Sequence, residues 1–72
     1  MTDLSVVLKN KRKDLGLTQR QVADKAEINS QHYQKLESGE RNIFTASFDT
    51  ACKVLTALEF DVTTFFFLYA NQ

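Results

Sequence analysis

Proline is absent from this chain and glycine occurs only at Gly16 and Gly39, so few of its 72 positions can break a helix. The single cysteine, Cys52, cannot close an intrachain disulfide, which removes the usual staple of small secreted domains and fits a reducing cytoplasm. No stretch approaches the roughly 18 apolar residues of a membrane helix. Leu4, Val6, Val7 and Leu8 precede Lys9 to Lys13, which is not a basic-then-apolar signal, so a mature chain with no membrane partner is expected. One histidine, one cysteine and no clustered carboxylates leave neither a nucleophile with its base nor a metal site, and neither an enzyme nor a cofactor is expected. Nine Lys and Arg balance nine Asp and Glu, so the chain also lacks the basic surplus that commonly announces a nucleic-acid binder.

What is present is 43% hydrophobic residues, enough for one core and a single domain over residues 1–72. A domain this small is marginal unless its helices pack well or a second copy pairs with it, so a homodimer is expected. Apolar residues recur at three- and four-residue spacing, which makes the class all-α. Leu4, Val7, Leu8 and Leu15 share one face of a first helix over residues 3–15, and Gly16 stops it. Thr18 and Gln21 form a capping box for a second helix over residues 19–26. Glu27-Ile28-Asn29 is long enough only for a turn, and Asn29 caps a third helix that runs through Ser38 to Gly39. Thr45 or Ser47 can cap a fourth helix whose apolar face is Phe48, Ala51, Cys52, Leu55 and Leu58, with Cys52 read as a small core residue. Asp61 can cap a short fifth helix containing Val62, Phe65 and Phe66. The apolar run from Phe65 to Ala70 exceeds what a five-helix core absorbs, so part of it is expected to be exposed or paired.

Two short helices joined by a three-residue turn make a helix-turn-helix unit, in which the second helix enters the DNA major groove and the first crosses the backbone. Helices two and three meet its packing requirements. Small Ala23 falls where they approach most closely, while Ile28, Tyr33 and Leu36 point inward. Ser30, Gln31, His32, Gln34, Lys35 and Ser38 are left facing outward. That set is rich in donors and acceptors suited to base edges, whereas a face that only had to be soluble would more commonly carry Glu and Lys. A metal-ligand reading of His32 finds no second His or Cys spaced to join it, and Lys9, Lys11 and Lys13 read as solvated charges.

At these residues the chain resembles a known family, the Xre-type, lambda-repressor-like helix-turn-helix domains of phage, prophage and bacterial regulators. The resemblance covers about residues 4–66 and leaves 67–72 as an apolar C-terminal extension. It is carried by LKNKRKDLGLTQRQVADKA from Leu8 to Ala26, INSQHYQKLESGERN from Ile28 to Asn42, and the tail from Ala51 to Phe66. It implies a compact five-helix domain with double-stranded DNA as its partner. Gln19 is implied to touch a phosphate, and Ser30, Gln31, His32 and Lys35 to read bases. Arg41, Asn42 and the amides opening helix four are implied to hold the DNA backbone, with Gln34 beside them. Glu37 and Arg12 are implied to form a buried structural ion pair, which agrees with chemistry, because an uncompensated glutamate near that face would repel phosphate. Gln31 suits bidentate adenine reading, and Lys35 suits guanine.

Three residues depart from the family pattern. Glu27 stands where a glycine is usual and a left-handed backbone is common, Ile43 replaces a frequent proline and leaves the start of helix four less fixed, and Tyr33 is larger than the usual aliphatic. The Tyr33 hydroxyl is expected to reach the surface or a partner. Phe67, Leu68 and Tyr69 are candidates for a dimer contact or a short pairing strand. The expected activity is a sequence-specific transcriptional repressor of the cytoplasm and nucleoid, binding an inverted-repeat operator as a homodimer. The alternative is a protein-interaction module on the same fold, antitoxin-like or coactivator-like, and a second regulatory protein is a further partner to consider.

Overall fold

The computed structural model describes residues 3–70. Five helices follow one another: α1 (Leu4–Asp14), α2 (Gln19–Ala26), α3 (Ser30–Ser38), α4 (Phe48–Ala57) and α5 (Val62–Tyr69), with no strand among the described residues. Each begins at a residue whose side-chain oxygen accepts from a first-turn amide: Asp3, Thr18, Asn29, Ser47 and Asp61. Thr18 does so reciprocally, since Gln21 Oε1 accepts from the Thr18 amide at 2.8 Å. Of the two caps open for α4, Ser47 is the one used.

The ends are as local as the starts. Gly16, Glu27, Gly39 and Glu59 all take positive φ, at 71°, 57°, 85° and 62°. Behind three of them the chain closes back on the helix it has left, with Leu17 N donating to Arg12 O, Ile28 N to Ala23 O and Phe60 N to Leu55 O at 2.9–3.1 Å. Glu27 thus keeps the left-handed turn despite its Cβ, and Glu59 adopts the same conformation at the end of α4, where nothing in the residue type signals it.

The core takes Leu8 from α1, Val22, Ala23 and Ala26 from α2, and Tyr33 and Leu36 from α3. Ala51, Val54, Leu55, Ala57 and Leu58 come from α4 and its end, with Phe65 from α5. Helix α2 lies at the centre, packed on both α3 and α4, while α1 packs on α3 and α5 on α4. Phe44, in the segment before α4, lies 5.8 Å from the Phe65 ring and 5.1 Å from Phe66, and Phe60 meets Phe65 edge-on at 5.1 Å. These aromatic contacts hold α5 down.

Five expectations are corrected. Phe48 does not line the buried face of α4; it is 71% exposed and leans on Phe66 at 6.0 Å, because Phe44 already fills the space it would enter. Cys52 is only partly buried, and Val54 and Ala57 supply the core contacts instead. The Tyr33 hydroxyl does not reach the surface, for the whole residue is 0% exposed. Phe67 to Tyr69 form no strand, since α5 runs on through Tyr69. Ile43, expected to leave the start of α4 loose, is buried and anchors that segment to the core.

Glu27→Gly tests the cost of the left-handed turn. An αL residue with a Cβ costs about 1–2 kcal/mol, and the extra unfolded-state freedom of glycine gives back part of the relief, leaving a gain of about 0.5–1 kcal/mol. Thermal unfolding is expected to show a Tm rise of about 2–8 °C. An unchanged or lower Tm would mean that the turn carries no such strain.

Candidate nucleic-acid interface

Helix α3 exposes the polar surface that its spacing predicts. Gln31, Gln34, Lys35 and Ser38 are exposed, Ser30 is half-buried, and Arg41 and Asn42 follow on the exposed segment after Gly39. The side chains of Gln31, Gln34, Lys35 and Arg41 have no hydrogen bond to other described residues, so their donors and acceptors are open to an outside partner. Two concavities flank the helix. One, of about 220 Å3, is lined by Asn29, Gln31, His32, Lys35 and Arg41, two cations with no carboxylate. The other, of about 410 Å3, is lined by Gln31, Gln34, Lys35, Ser38 and Glu40. Glu40 was not singled out by sequence reasoning, and its carboxylate opposes phosphate on that side of the helix. Its position immediately before Arg41 was the available signal.

The Arg41 segment is held from inside. Arg41 N donates to Lys35 O at 3.1 Å, and Asn42 Oδ1 accepts from Phe44 N at 2.8 Å while Asn42 O accepts from Thr45 N at 3.0 Å. These bonds fix the backbone of Arg41 and Asn42 beside α3. His32 sits differently from its neighbours: it is only partly exposed, and its Nε2 is buried with no hydrogen-bond partner.

Behind the surface lies a buried charge. Glu37, with 2% of its side chain exposed, accepts from Arg12 Nε at 2.7 Å on Oε2 and from Arg12 Nη2 at 3.1 Å on Oε1. Gln19 Nε2 donates to the same Oε1 at 3.1 Å, and Arg12 Nη1 donates to Leu17 O at 2.8 Å. One carboxylate therefore joins α1, the α1–α2 turn, α2 and α3. Burial pushes the Glu37 carboxyl up, but the hydrogen bonds it accepts, Arg12's foremost, more than offset this and hold it below its ordinary value. Glu37 in turn raises the Arg12 guanidinium. The Tyr33 hydroxyl lies near enough to feel this pair, yet it makes no hydrogen bond of ordinary geometry; burial first, then Glu37, pushes it well up.

A helix-turn-helix family matches residues 8–65. The chain belongs to that family. It is the Xre- and lambda-repressor-like group of helix-turn-helix domains, in which α2 and α3 are the paired helices and DNA is the partner. Comparison with curated proteins finds no match, and neither does comparison with solved structures. Among the described residues no three His, Cys, Asp or Glu come together as metal ligands, and no helix is long and apolar enough to cross a membrane. Within this helix-turn-helix domain the structure brings Gln31, His32, Lys35 and Arg41 to one concavity and puts Gln34 with Lys35 on the next. Gln19 lies apart from both, against Glu37. Phe67 and Leu68 are 79% and 54% exposed, whereas Tyr69 turns its ring onto Phe65 at 4.8 Å.

The buried pair sets a pH dependence whose sign is fixed. A carboxyl held below 4.5 when folded stabilises the protein above that pH, and the contribution is lost as pH falls through the lowered value. Tyr33 acts at the other end: raised above 10 when folded, it makes stability fall as pH rises past 10, where the unfolded chain loses the proton first. Urea unfolding of the wild type and Glu37→Gln across the acid range is expected to show the wild-type advantage shrinking below pH 4.5. Tyr33→Phe is expected to flatten the alkaline limb. A constant gap between wild type and Glu37→Gln at all acid pH values would contradict the assignment.

Proposed function

We propose that the protein is a sequence-specific DNA-binding transcriptional repressor that binds as a homodimer, with α3 in the major groove. The observation carrying this is the concavity where Gln31, His32, Lys35 and Arg41 converge without a carboxylate. Gln31 and Lys35, with Ser30 and His32, read base edges. Arg41, Asn42, Gln34 and Gln19 meet the phosphate backbone and set register, and the N-terminal amides of α4 add to them.

The size of the domain is compatible with the proposed dimer. The chain measures 29 × 24 × 20 Å along its principal axes, which suits two copies side by side on successive major grooves, about 34 Å apart. Exposed Phe67 and Leu68 supply apolar surface for that contact, with Tyr69 beside them. The operator is then an inverted repeat, and the protein works in the cytoplasm at the nucleoid. The exposed aromatics Phe48 and Phe67 also favour a second reading, a protein-interaction module that holds another regulatory protein.

A duplex titration across salt concentrations separates the two. Lys35 and Arg41 give four cations per dimer at the interface, so log affinity is expected to fall against log salt with a slope of about −4. Gln31→Ala is expected to cost about 1–3 kcal/mol on the operator, found by selection from a random duplex pool, and to relax preference at one base pair. Arg41→Ala should weaken operator and random duplex alike. Absence of binding to any duplex at low salt would reject the regulator in favour of the interaction module.

A further inference from the structure

Two residues assigned to the DNA backbone already use a side chain inside the protein: Asn42, whose Oδ1 accepts from the nearby Phe44 amide, and Gln19, whose side chain is bonded to a buried charge on another helix. Gln19 Nε2 donates to Glu37 Oε1 at 3.1 Å, and that same oxygen accepts from Arg12 Nη2 at 3.1 Å. The contact decides which way the carboxamide faces. Turned over, the amide would set its own oxygen against a carboxylate oxygen, two acceptors with no proton between them. An amide nitrogen carries two hydrogens, and a phosphate oxygen can only accept. With one hydrogen given to Glu37, the second is the remaining donor through which the Gln19 side chain can bind a phosphate. The NH2 group then bridges two anionic acceptors, which would repel each other across a few ångströms. Arg12 removes that obstacle, since its guanidinium grips both oxygens of Glu37, at 2.7 and 3.1 Å, and is itself fixed to Leu17 O at 2.8 Å.

Resting on the DNA reading above, we propose that Arg12 and Glu37 are positioning residues for the backbone contact of Gln19. Glu37 orients the amide, and Arg12 cancels the charge that would drive the phosphate away. The relay runs from α1 through α3 to the first residue of α2 and reads no base. Its effect is therefore equal on operator and random DNA.

The test is a mutant cycle on the full chain with a short random-sequence duplex at low salt, followed by fluorescence anisotropy. Gln19→Ala is expected to weaken binding about three- to tenfold, the size of one hydrogen bond. Arg12→Met with Glu37→Met replaces the ion pair by apolar side chains of similar length, a change that buried pairs commonly tolerate. That double variant is expected to lose the same factor as Gln19→Ala, and adding Gln19→Ala to it is expected to lose nothing more. Wild-type affinity in the double variant, or a full further loss in the triple one, would overturn the inference while leaving the DNA reading intact. Failure of the wild type to bind any duplex would overturn both. Should the double variant not fold by circular dichroism, the wild-type Gln19 side-chain NH2 resonances give the answer. They are expected to shift when the duplex is added, and resonances unmoved by saturating duplex would reject the proposal.

Discussion

A carboxylate with 2% of its side chain exposed cannot stand alone, and the arrangement of the first three helices follows from how Glu37 is compensated. Arg12 reaches it from α1 with two nitrogens, Gln19 from the start of α2 with one, and Arg12 spends a third nitrogen on the carbonyl of Leu17 in the turn between them. These bonds can be made together only when α1, α2 and α3 hold one mutual geometry. Removing one partner of a buried pair costs about 3–5 kcal/mol. A domain of this length has roughly 4–11 kcal/mol in all, on a scale of 0.05–0.15 kcal/mol per residue, so the pair is a condition for the fold more than an increment to it. The same bonds keep a negative charge out of the polar face that α3 presents.

The other half of the molecule is held by different physics. From residue 42 onward the chain carries one Lys and three acidic residues, and the lone Lys53 is paired with Asp49 at 3.2 Å. Its cohesion comes from rings: Phe44, Phe60 and Phe65 meet at 5.1–5.8 Å, and Phe66 and Tyr69 extend the cluster outward. Residues up to 41 carry eight cations and six anions, and the Arg12–Glu37 pair cancels within that half, leaving seven against five. The zero net charge is thus an average over a mildly basic recognition half and a mildly acidic aromatic half.

Helix ends were legible because capping is a local exchange between neighbours. Thr18 with Gln21, Asn29 before Ser30 and Asp61 before Val62 each satisfy orphan amides with atoms two or three residues away, so residue order suffices to place them. Burial was less legible because it depends on which neighbour arrives first. Phe48 has the right spacing for the core of α4, yet Phe44 takes that volume from a loop whose path no periodicity encodes. The size of Tyr33 points its hydroxyl to the surface or a partner, because buried phenols usually find one, yet it lies buried near Glu37 with no hydrogen bond of ordinary geometry. At Glu27 the resemblance marks a turn where glycine and a left-handed backbone are usual, and a glutamate there points to a slightly different turn, yet the left-handed conformation is kept; at Glu59 no residue type announces it. The polar face of α3 was legible as a face. Partial burial of His32, and the commitment of Gln19 to Glu37, needed the tertiary structure.

Near-neutral charge also shapes how such a face can work. Non-specific attachment to DNA scales with the number of phosphates neutralised, and here only Lys35 and Arg41 bring cations to the concavity beside α3, with Glu40 opposing them on its other side. A protein so equipped gains little by lingering on arbitrary sequence, so under the proposed reading discrimination would rest on neutral hydrogen-bonding groups that are costly to bury unmatched. Gln31 is of that kind, bringing two donors and an acceptor that can pair well with one base edge and poorly with another, and Gln34 adds a second neutral amide on the next face of the helix. Among the described residues the side chains of both make no hydrogen bond, which leaves that capacity unspent. Weak general attraction and a face of neutral amides are thus two sides of one composition, and in the proposed dimer a second copy would double the amides and the cations together, leaving that balance unchanged.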